Sequence, residues 1–388
     1  MDSQILINYL DRESKDPYFT SLEISSQPIL WQQTWACIQD YKSKLINFLD
    51  IIYSQNNLNI ILTGAGTSAF IGDTLQGPFQ KYTGIPTRSI SSTDLVTHPE
   101  MFLQKDRPTL LISFARSGDS PESLAVVNLV HELCTYDYHL IITCNPNGQL
   151  AAKSNHSNQM VILLPDETND KGLAMTGSFS SMLLCGALVS RIRQIDELEI
   201  QKTMLISYGE NVLEKYTGEI KKIAKIDFNR AVFLGSGPLS GIATESHLKL
   251  QELTRGKIIC KHDSFLGVRH GPKAVIDENT IVVYLFSNNK YVEQFEDDLV
   301  KEICAQELGM YSIGIHEKPK GDYCLDLNIK IGNDEKLLDE EFLAVCYILP
   351  AQILGYYKSL ELGLNPDNPS VAGVISRVVQ GVTIYDYN

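Results

Sequence analysis

No stretch of this chain reaches the ~18 consecutive apolar residues that a helix needs to span a bilayer, and none of its eight cysteines stands in a C-x-x-C pair. The first absence excludes a helical membrane span. The second predicts reduced, mostly buried thiols, because Cys37, Cys134, Cys144, Cys185, Cys260, Cys304, Cys324 and Cys346 are scattered singly, without the pairing of a disulfide or zinc framework. Basic residues are scarce too: 33 Lys and Arg face 47 Asp and Glu, for a formal charge of -14. A nucleic acid or an acidic membrane would then need a local basic patch, and none is visible. Met1 to Asp11 carry Asp2 early and lack a basic start followed by a long apolar core, so no secretory signal is read there and a cytoplasmic protein is expected.

Two nucleotide fingerprints are missing as well. There is no Gly-Lys-Ser/Thr of a P-loop, and the one glycine-rich turn after a strand has no acidic partner that can be placed at the end of the next strand. His262-Asp263 has no third ligand at a suitable spacing, so neither a metal nor an organic cofactor is implied.

What is present is an alternation of short apolar runs with longer amphipathic ones. Leu58–Thr63, Thr109–Phe114, His139–Cys144 and Met160–Leu164 read as buried parallel strands, and the pattern resumes at Arg230–Leu234, Lys257–Cys260, Thr280–Phe286, Met310–Ile315 and Asp326–Ile331. The two sets open alike, since Ile60-Ile61-Leu62-Thr63-Gly64-Ala65-Gly66 is echoed by Ala231-Val232-Phe233-Leu234-Gly235-Ser236-Gly237, 171 residues on from Gly64 to Gly235. The fold expected is therefore α/β, with two doubly wound parallel-sheet domains related by internal duplication and a helical connector near Arg191–Lys225. Residues 1–44 read as an N-terminal helical arm, with Trp31, Trp35, Ile38, Tyr41 and Leu45 at helical spacing. Residues 45–205 form the first domain and 206–388 the second, with a C-terminal tail that begins in an apolar helix over Glu340–Leu362, stopped by Gly363 and Asn365-Pro366.

Four segments carry chemistry. In Gly64-Ala65-Gly66-Thr67-Ser68 glycines let backbone approach a ligand, and the hydroxyls of Thr67 and Ser68 sit where a helix N-terminus favours anions. Arg116-Ser117-Gly118-Asp119-Ser120-Pro121 ends another strand; Ser120 with Pro121 would serve as an ordinary cap, but Arg116 and Ser117 are surplus to capping. Ligands of open parallel sheets collect outside the carboxyl ends of neighbouring strands, so both loops can converge on one phosphate, held by Gly66, Thr67, Ser68, Ser117 and Ser120 with Arg116 and Thr176 at the rim. The third segment is the helix after Gly235-Ser236-Gly237-Pro238, where Glu245, Lys249 and Glu252 share one face within an arc of roughly 60°. A surface salt bridge is the plain alternative there, while a carboxylate beside an ammonium in a cleft is acid–base machinery. The fourth is Arg269-His270-Gly271-Pro272-Lys273, a glycine-bounded turn that presents an imidazole between two cations.

With these segments assembled, residues 45 to 385 resemble the double-domain sugar isomerase (SIS) family, of the galactosamine-6-phosphate deaminase and tagatose-6-phosphate ketose/aldose isomerase type. They are also similar to the isomerase half of glutamine:fructose-6-phosphate amidotransferase. The resemblance implies that Gly66-Thr67-Ser68 and Ala115-Arg116-Ser117-Gly118-Asp119-Ser120 hold a sugar phosphate. It further implies that Glu252 shuttles a proton between C1 and C2, that His270 assists ring opening, and that Glu245 and Lys249 orient or polarise. Two departures bear on the reaction. Asn368 to Val374 contain no lysine where the amidotransferase has its Schiff-base lysine, and Arg377 is no amine nucleophile; Asp2 stands where a glutaminase half would place its cysteine.

The activity so implied is conversion of galactosamine 6-phosphate to tagatose 6-phosphate with release of free ammonia, by a homodimer or a dimer of dimers whose His-Gly-Pro loop reaches a neighbouring subunit. The substrate is a hexosamine 6-phosphate, and the product a ketohexose 6-phosphate. A tagatose-6-phosphate aldose–ketose isomerase without nitrogen release is the rival within enzymes. A noncatalytic sugar-phosphate sensor is the rival outside them, disfavoured because the N-terminal extension carries few basic residues.

Overall fold

The computed structural model describes residues 8–12, 14–152, 158–318, 323–332, 336–370, 373, 375–379 and 381–387. Asp2, and Val371, Ala372 and Val374 of the lysine-free stretch, lie outside the described residues. The chain divides into two compact units that are interleaved in sequence. One comprises residues 29–170, 177–200 and 372–388, the other 1–28, 171–176 and 201–371.

The first unit holds five parallel strands: β1 (Asn59–Thr63), β2 (Thr87–Ser89), β3 (Thr109–Ala115), β4 (Asp137–Thr143) and β5 (Gln159–Leu163), in the order β2-β1-β3-β4-β5. α1 (Phe19–Tyr53) precedes them, and α2 (Thr67–Thr83), α3 (Ser92–Thr97), α4 (Pro121–Leu133) and α5 (Gln149–Ala152) make the crossovers. α6 (Gly177–Ser190) follows, buried on all sides, as its continuous apolar and small-residue sequence demands. Ile61, Leu111, Val126 and Val130 form the core between sheet and helices.

α7 (Glu199–Ala224) leads into the second sheet, made of β6 (Arg230–Gly235), β7 (Ile259–Asp263), β8 (Thr280–Leu285), β9 (Tyr311–His316) and β10 (Leu327–Lys330). Its order, β7-β6-β8-β9-β10, repeats that of the first sheet, with every pair parallel. α8 (Pro238–Leu253) and α9 (Lys290–Ala305) cross over, and α10 (Glu340–Tyr347) and α11 (Leu349–Glu361) follow. In both sheets the chain reverses direction of winding between the first strand and the third, β1/β3 and β6/β8, which is where such sheets open a ligand crevice.

All nine runs read as strands in the sequence form strands. The tenth, β2, escapes that reading because Thr87-Arg88-Ser89 is a polar edge with no apolar pattern to detect. The helical spacing around Trp31 and Trp35 does mark a helix, but the helix continues to Tyr53, since Leu45, Leu49 and Ile52 extend its buried face. A boundary at residue 45 therefore falls inside α1. The run read as one helix over Glu340–Leu362 is two, because Pro350 lacks the N–H that would bond back to Cys346. Gly363 does end it, at φ 68°.

The cysteine expectation needs one correction: Cys304 and Cys324 form a disulfide, and the other six are free. Twenty residues separate the pair without any motif, yet the fold brings their Cα atoms to 6.0 Å, the separation a disulfide requires. No helix among the described residues is long and apolar enough to cross a membrane.

Candidate active site

The first glycine-rich turn leaves β1 and enters α2 at its N-cap, Gly66, whose φ of 55° favours glycine. A side chain at Gly64 would meet Ser68, 2.6 Å from where its Cβ would lie. Thr67 and Ser68 then open the helix, both buried. The second loop leaves β3. Ser117 Oγ accepts the amide of Asp119 at 3.3 Å, and Gly118 takes φ 69°. Ser120 occupies the N-cap of α4 with extended backbone, but its hydroxyl makes no capping bond. The ordinary cap that would explain Ser120 is therefore not what its side chain does.

The loop after β4 holds this second loop in place, a role the sequence reading missed. Asn145 Nδ2 donates to Ser117 O at 2.8 Å, Gln149 N donates to Asp119 Oδ1 at 3.0 Å, and Leu150 N to Gly118 O at 3.1 Å. Gly148 packs so close that a Cβ would lie 2.3 Å from Ser117 O. The Asn145-Pro146-Asn147-Gly148 turn was the available signal. Arg116 is buried, 6 % exposed, rather than at a rim, and its Nη2 donates to the carbonyl of Arg377. Arg377 in turn donates from Nε to Asp170 O at 2.9 Å and from Nη2 to Asn169 Oδ1 at 2.8 Å. Asp170 caps α6 by accepting the amides of Gly177 and Ser178, each at 3.0 Å.

Thr176 belongs to the other unit and is likewise buried, not at a rim; its carbonyl accepts Gln352 Nε2 at 3.5 Å. In that unit Gly237 enters α8 with φ 56° and ψ -128°, matching the 55° and -128° of Gly66. Lys249 Nζ lies 3.3 Å from Glu245 Oε1 and 2.7 Å from Glu252 Oε2. The side chains of Glu245 and Lys249 are 0 % and 1 % exposed, whereas Glu252 is 20 % exposed. A surface salt bridge is thus excluded. Burial opposes the ammonium, but the two carboxylates outweigh it and hold the Lys249 pKa above its usual value. Lys249 is consequently a fixed cation, with no lone pair for nucleophilic attack. Glu252 is the member of the trio with a face open to a reactant.

The last segment runs from β7 into the turn at residues 267–275. Phe265 and Val268 are buried in the core against Tyr284 and Phe286. Gly267 lies against the Asp263 side chain, whose Oδ1 would have to move away from a Cβ added there, at 2.3 Å. His270 is exposed, and among the described residues its ring makes no hydrogen bond. Within its unit the structure thus assembles Glu245, Lys249 and Glu252 on one buried helix face and presents His270 outward. In the other unit it gathers Gly66, Thr67, Ser68, Ser117 and Ser120 at the carboxyl ends of β1 and β3. The described residues contain no cluster of His, Cys, Asp and Glu fit for a metal ion.

A fold of this order, with hydroxyl-rich loops at the switch point, is a doubly wound α/β fold, and the SIS domain family matches residues 51–190. D-galactosamine-6-phosphate deaminase AgaS of Shewanella sp. (strain ANA-3) is 37 % identical over 390 residues, covering 100 % of this chain and 96 % of that protein. The crystal structure of tagatose-6-phosphate ketose/aldose isomerase from Escherichia coli superposes with TM-score 0.86 at 36 % identity, covering 95 % of this chain and 96 % of that one. Glutamine–fructose-6-phosphate aminotransferase of Pyrobaculum aerophilum is 26 % identical over 91 % of this chain, which spans 56 % of that longer protein. The chain belongs to the AgaS family of SIS-domain proteins.

Proposed function

We propose that this protein is a cytoplasmic galactosamine-6-phosphate deaminase/isomerase, which forms tagatose 6-phosphate and ammonia. The observation that carries the reading is the α8 trio: a buried carboxylate and a buried ammonium that position a third group, Glu252, with part of its surface open. The phosphate is held by Ser68, Ser117, Ser120 and backbone N–H groups at the starts of α2 and α4, where the helix ends favour an anion. His270 passes a proton between the ring oxygen and the anomeric hydroxyl, opening the sugar. Glu252 removes the proton from C2 of the open 2-amino aldose and returns it to C1. That leaves a C2 imine and a C1 alcohol; water adds to the imine, and the ketose and ammonia separate. Lys249 orients Glu252 and balances its charge.

The exposed His270 ring suits a role in a partner subunit, in an isologous homodimer or a dimer of dimers with shared sites. Glu252→Gln should lower turnover by about 10²-fold or more while substrate still binds. Mixing it with inactive His270→Ala subunits should recover up to about one native site per mixed dimer. A Glu252→Gln enzyme with native turnover would remove the base assignment, and mixed dimers without recovery would remove the shared site. The isomerase reading is favoured by the name of the Escherichia coli structure at 36 % identity. Ammonia detection with galactosamine 6-phosphate and glucosamine 6-phosphate separates the two.

A further inference from the structure

Two cations flank His270 in the sequence, and the chemistry above uses neither. Both turn to the same acid on α9. Arg269 Nη2 donates to Glu302 Oε2 at 2.7 Å, and Lys273 Nζ donates to Glu302 Oε1. Lys273 also reaches Gln306 Oε1, one helical turn further on, at 3.2 Å. These partners lie 33 and 29 residues away along the chain, so the bonds tie a loop to a separate element.

We infer that Glu302 is a positioning residue for His270, a clamp that takes the cations on either side of the imidazole and sets where the loop presents it. The inference rests on the role proposed for His270. Val268 and Ile276 are buried and fix the two ends of the turn. Between them, among the described residues, the only side-chain bonds of residues 269–275 run to Glu302 and Gln306. Gly271 adds no stiffness of its own, with φ 112° and no side chain. Without the clamp the turn would keep its own backbone bonds, His270 N to Gly267 O at 3.0 Å and Ala274 N to Gly271 O at 3.1 Å, but among the described residues no side-chain bond would hold it to α9. The Glu302 carboxyl is held below its usual range chiefly by the bond from Lys273, so it is charged at neutral pH. Its own anchor is firm: Leu299, Val300 and Ile303 of α9 are buried, and Cys304 next along is bridged to Cys324. Arg269 and Lys273 are thereby committed to α9.

An isolated pair of partly exposed ions is worth little. Two of them converging on one carboxylate act here on the loop's position, so the effect belongs in turnover and not in global stability. Glu302→Gln in the full-length protein should lower kcat about threefold to tenfold with KM for galactosamine 6-phosphate near native. Amide hydrogen exchange should rise across 269–273 and stay unchanged elsewhere. Glu302→Asp, which keeps the charge, should recover part of the loss. Native turnover in Glu302→Gln while His270→Ala is inactive would overturn the clamp and leave the role of His270 standing. Native turnover in His270→Ala removes that role and the clamp with it. A fall in kcat without faster exchange in 269–273 also overturns the clamp, because Glu302 would then act by another route. If Glu302→Gln does not fold, Lys273→Met removes one arm of the clamp and is read by the same two measurements.

Discussion

The two sheets share one strand order, and the helices that follow their first strands start from glycines of the same conformation, yet those helices do different work. At an offset of 171 residues, Thr74, Pro78 and Lys81 of α2 stand where α8 has Glu245, Lys249 and Glu252. Thr74 merely bonds the carbonyl of Phe70 four residues back, at 3.0 Å. The trio on α8 instead buries two opposite charges beside a third. The next strand ends differ as well. α4 starts at Ser120, whose hydroxyl its own helix does not use, whereas α9 starts at Asn289, whose Oδ1 accepts Tyr291 N at 2.9 Å. A single topology thus carries an uncapped hydroxyl at one strand end and a buried charged trio on one helix, and the proposed division between phosphate binding and proton transfer rests on which polar groups the fold leaves available.

The sharpest way to break this comparison is at Lys249. Lys249→Met takes the ammonium from beside the buried Glu245 carboxylate, and breaking a buried ion pair costs about 3–5 kcal/mol. Chemical denaturation should show a loss of that order, and a loss below about 1 kcal/mol would mean the trio is not energetically coupled. Pro78→Ala, at the matching position of α2, removes no charge and should not reproduce it.

A smaller effect distinguishes the opposite side of the same helices. Gln76 of α2 accepts Ser89 N of its edge strand at 3.3 Å, while His247 of α8 packs on His262 of β7, ring centroids 4.7 Å apart. Burial, then the neighbouring His262, with a further contribution from Lys261, lowers the His247 pKa to about 4, against a bond to Thr244 O that works the other way. The unfolded chain holds that proton up to about pH 6.5. Between those values it binds more protons than the native state, so stability contributed by neutral His247 is present above pH 6.5 and lost as pH falls toward 4. Allowing for partial exposure, the loss should reach about 2 kcal/mol, and His247→Gln should flatten it in melting temperatures taken across that window. An unchanged pH profile in the variant would assign the acid sensitivity elsewhere.

The smallest expected change concerns the two caps. Asn289→Ala should destabilise by about 1 kcal/mol, whereas Ser120→Ala should cost only a few tenths, there being no cap bond to lose. Ser120→Ala should nonetheless weaken binding of a hexose 6-phosphate, read by calorimetry. Equal destabilisation by the two variants, with unaltered binding, would erase the distinction between the strand ends.

Nine of the ten strands were legible because buried parallel strands are continuous apolar runs, and the helix trio because its spacing places three side chains on one face whatever surrounds it. Local sequence also marked the glycine turns, since glycine readily combines the φ near 55° with the ψ of -128° found at Gly66 and Gly237. What no local pattern contained was burial and long-range partnership. The sequence left Glu245–Lys249 open between a surface salt bridge and acid–base machinery; packing made it a buried trio. It placed Arg116 at a ligand's rim, and the fold turned the guanidinium onto the Arg377 carbonyl, 261 residues away. It read Cys304 and Cys324 as separate thiols, and Arg269 and Lys273 only as the two cations beside an imidazole, whereas the fold bridges the cysteines and sets both cations on Glu302 of α9. Periodicity is a property of neighbours along the chain, so sequence alone determined the elements and their chemical faces. Partnership depends on which elements the sheet order sets side by side, and that only the tertiary structure decided.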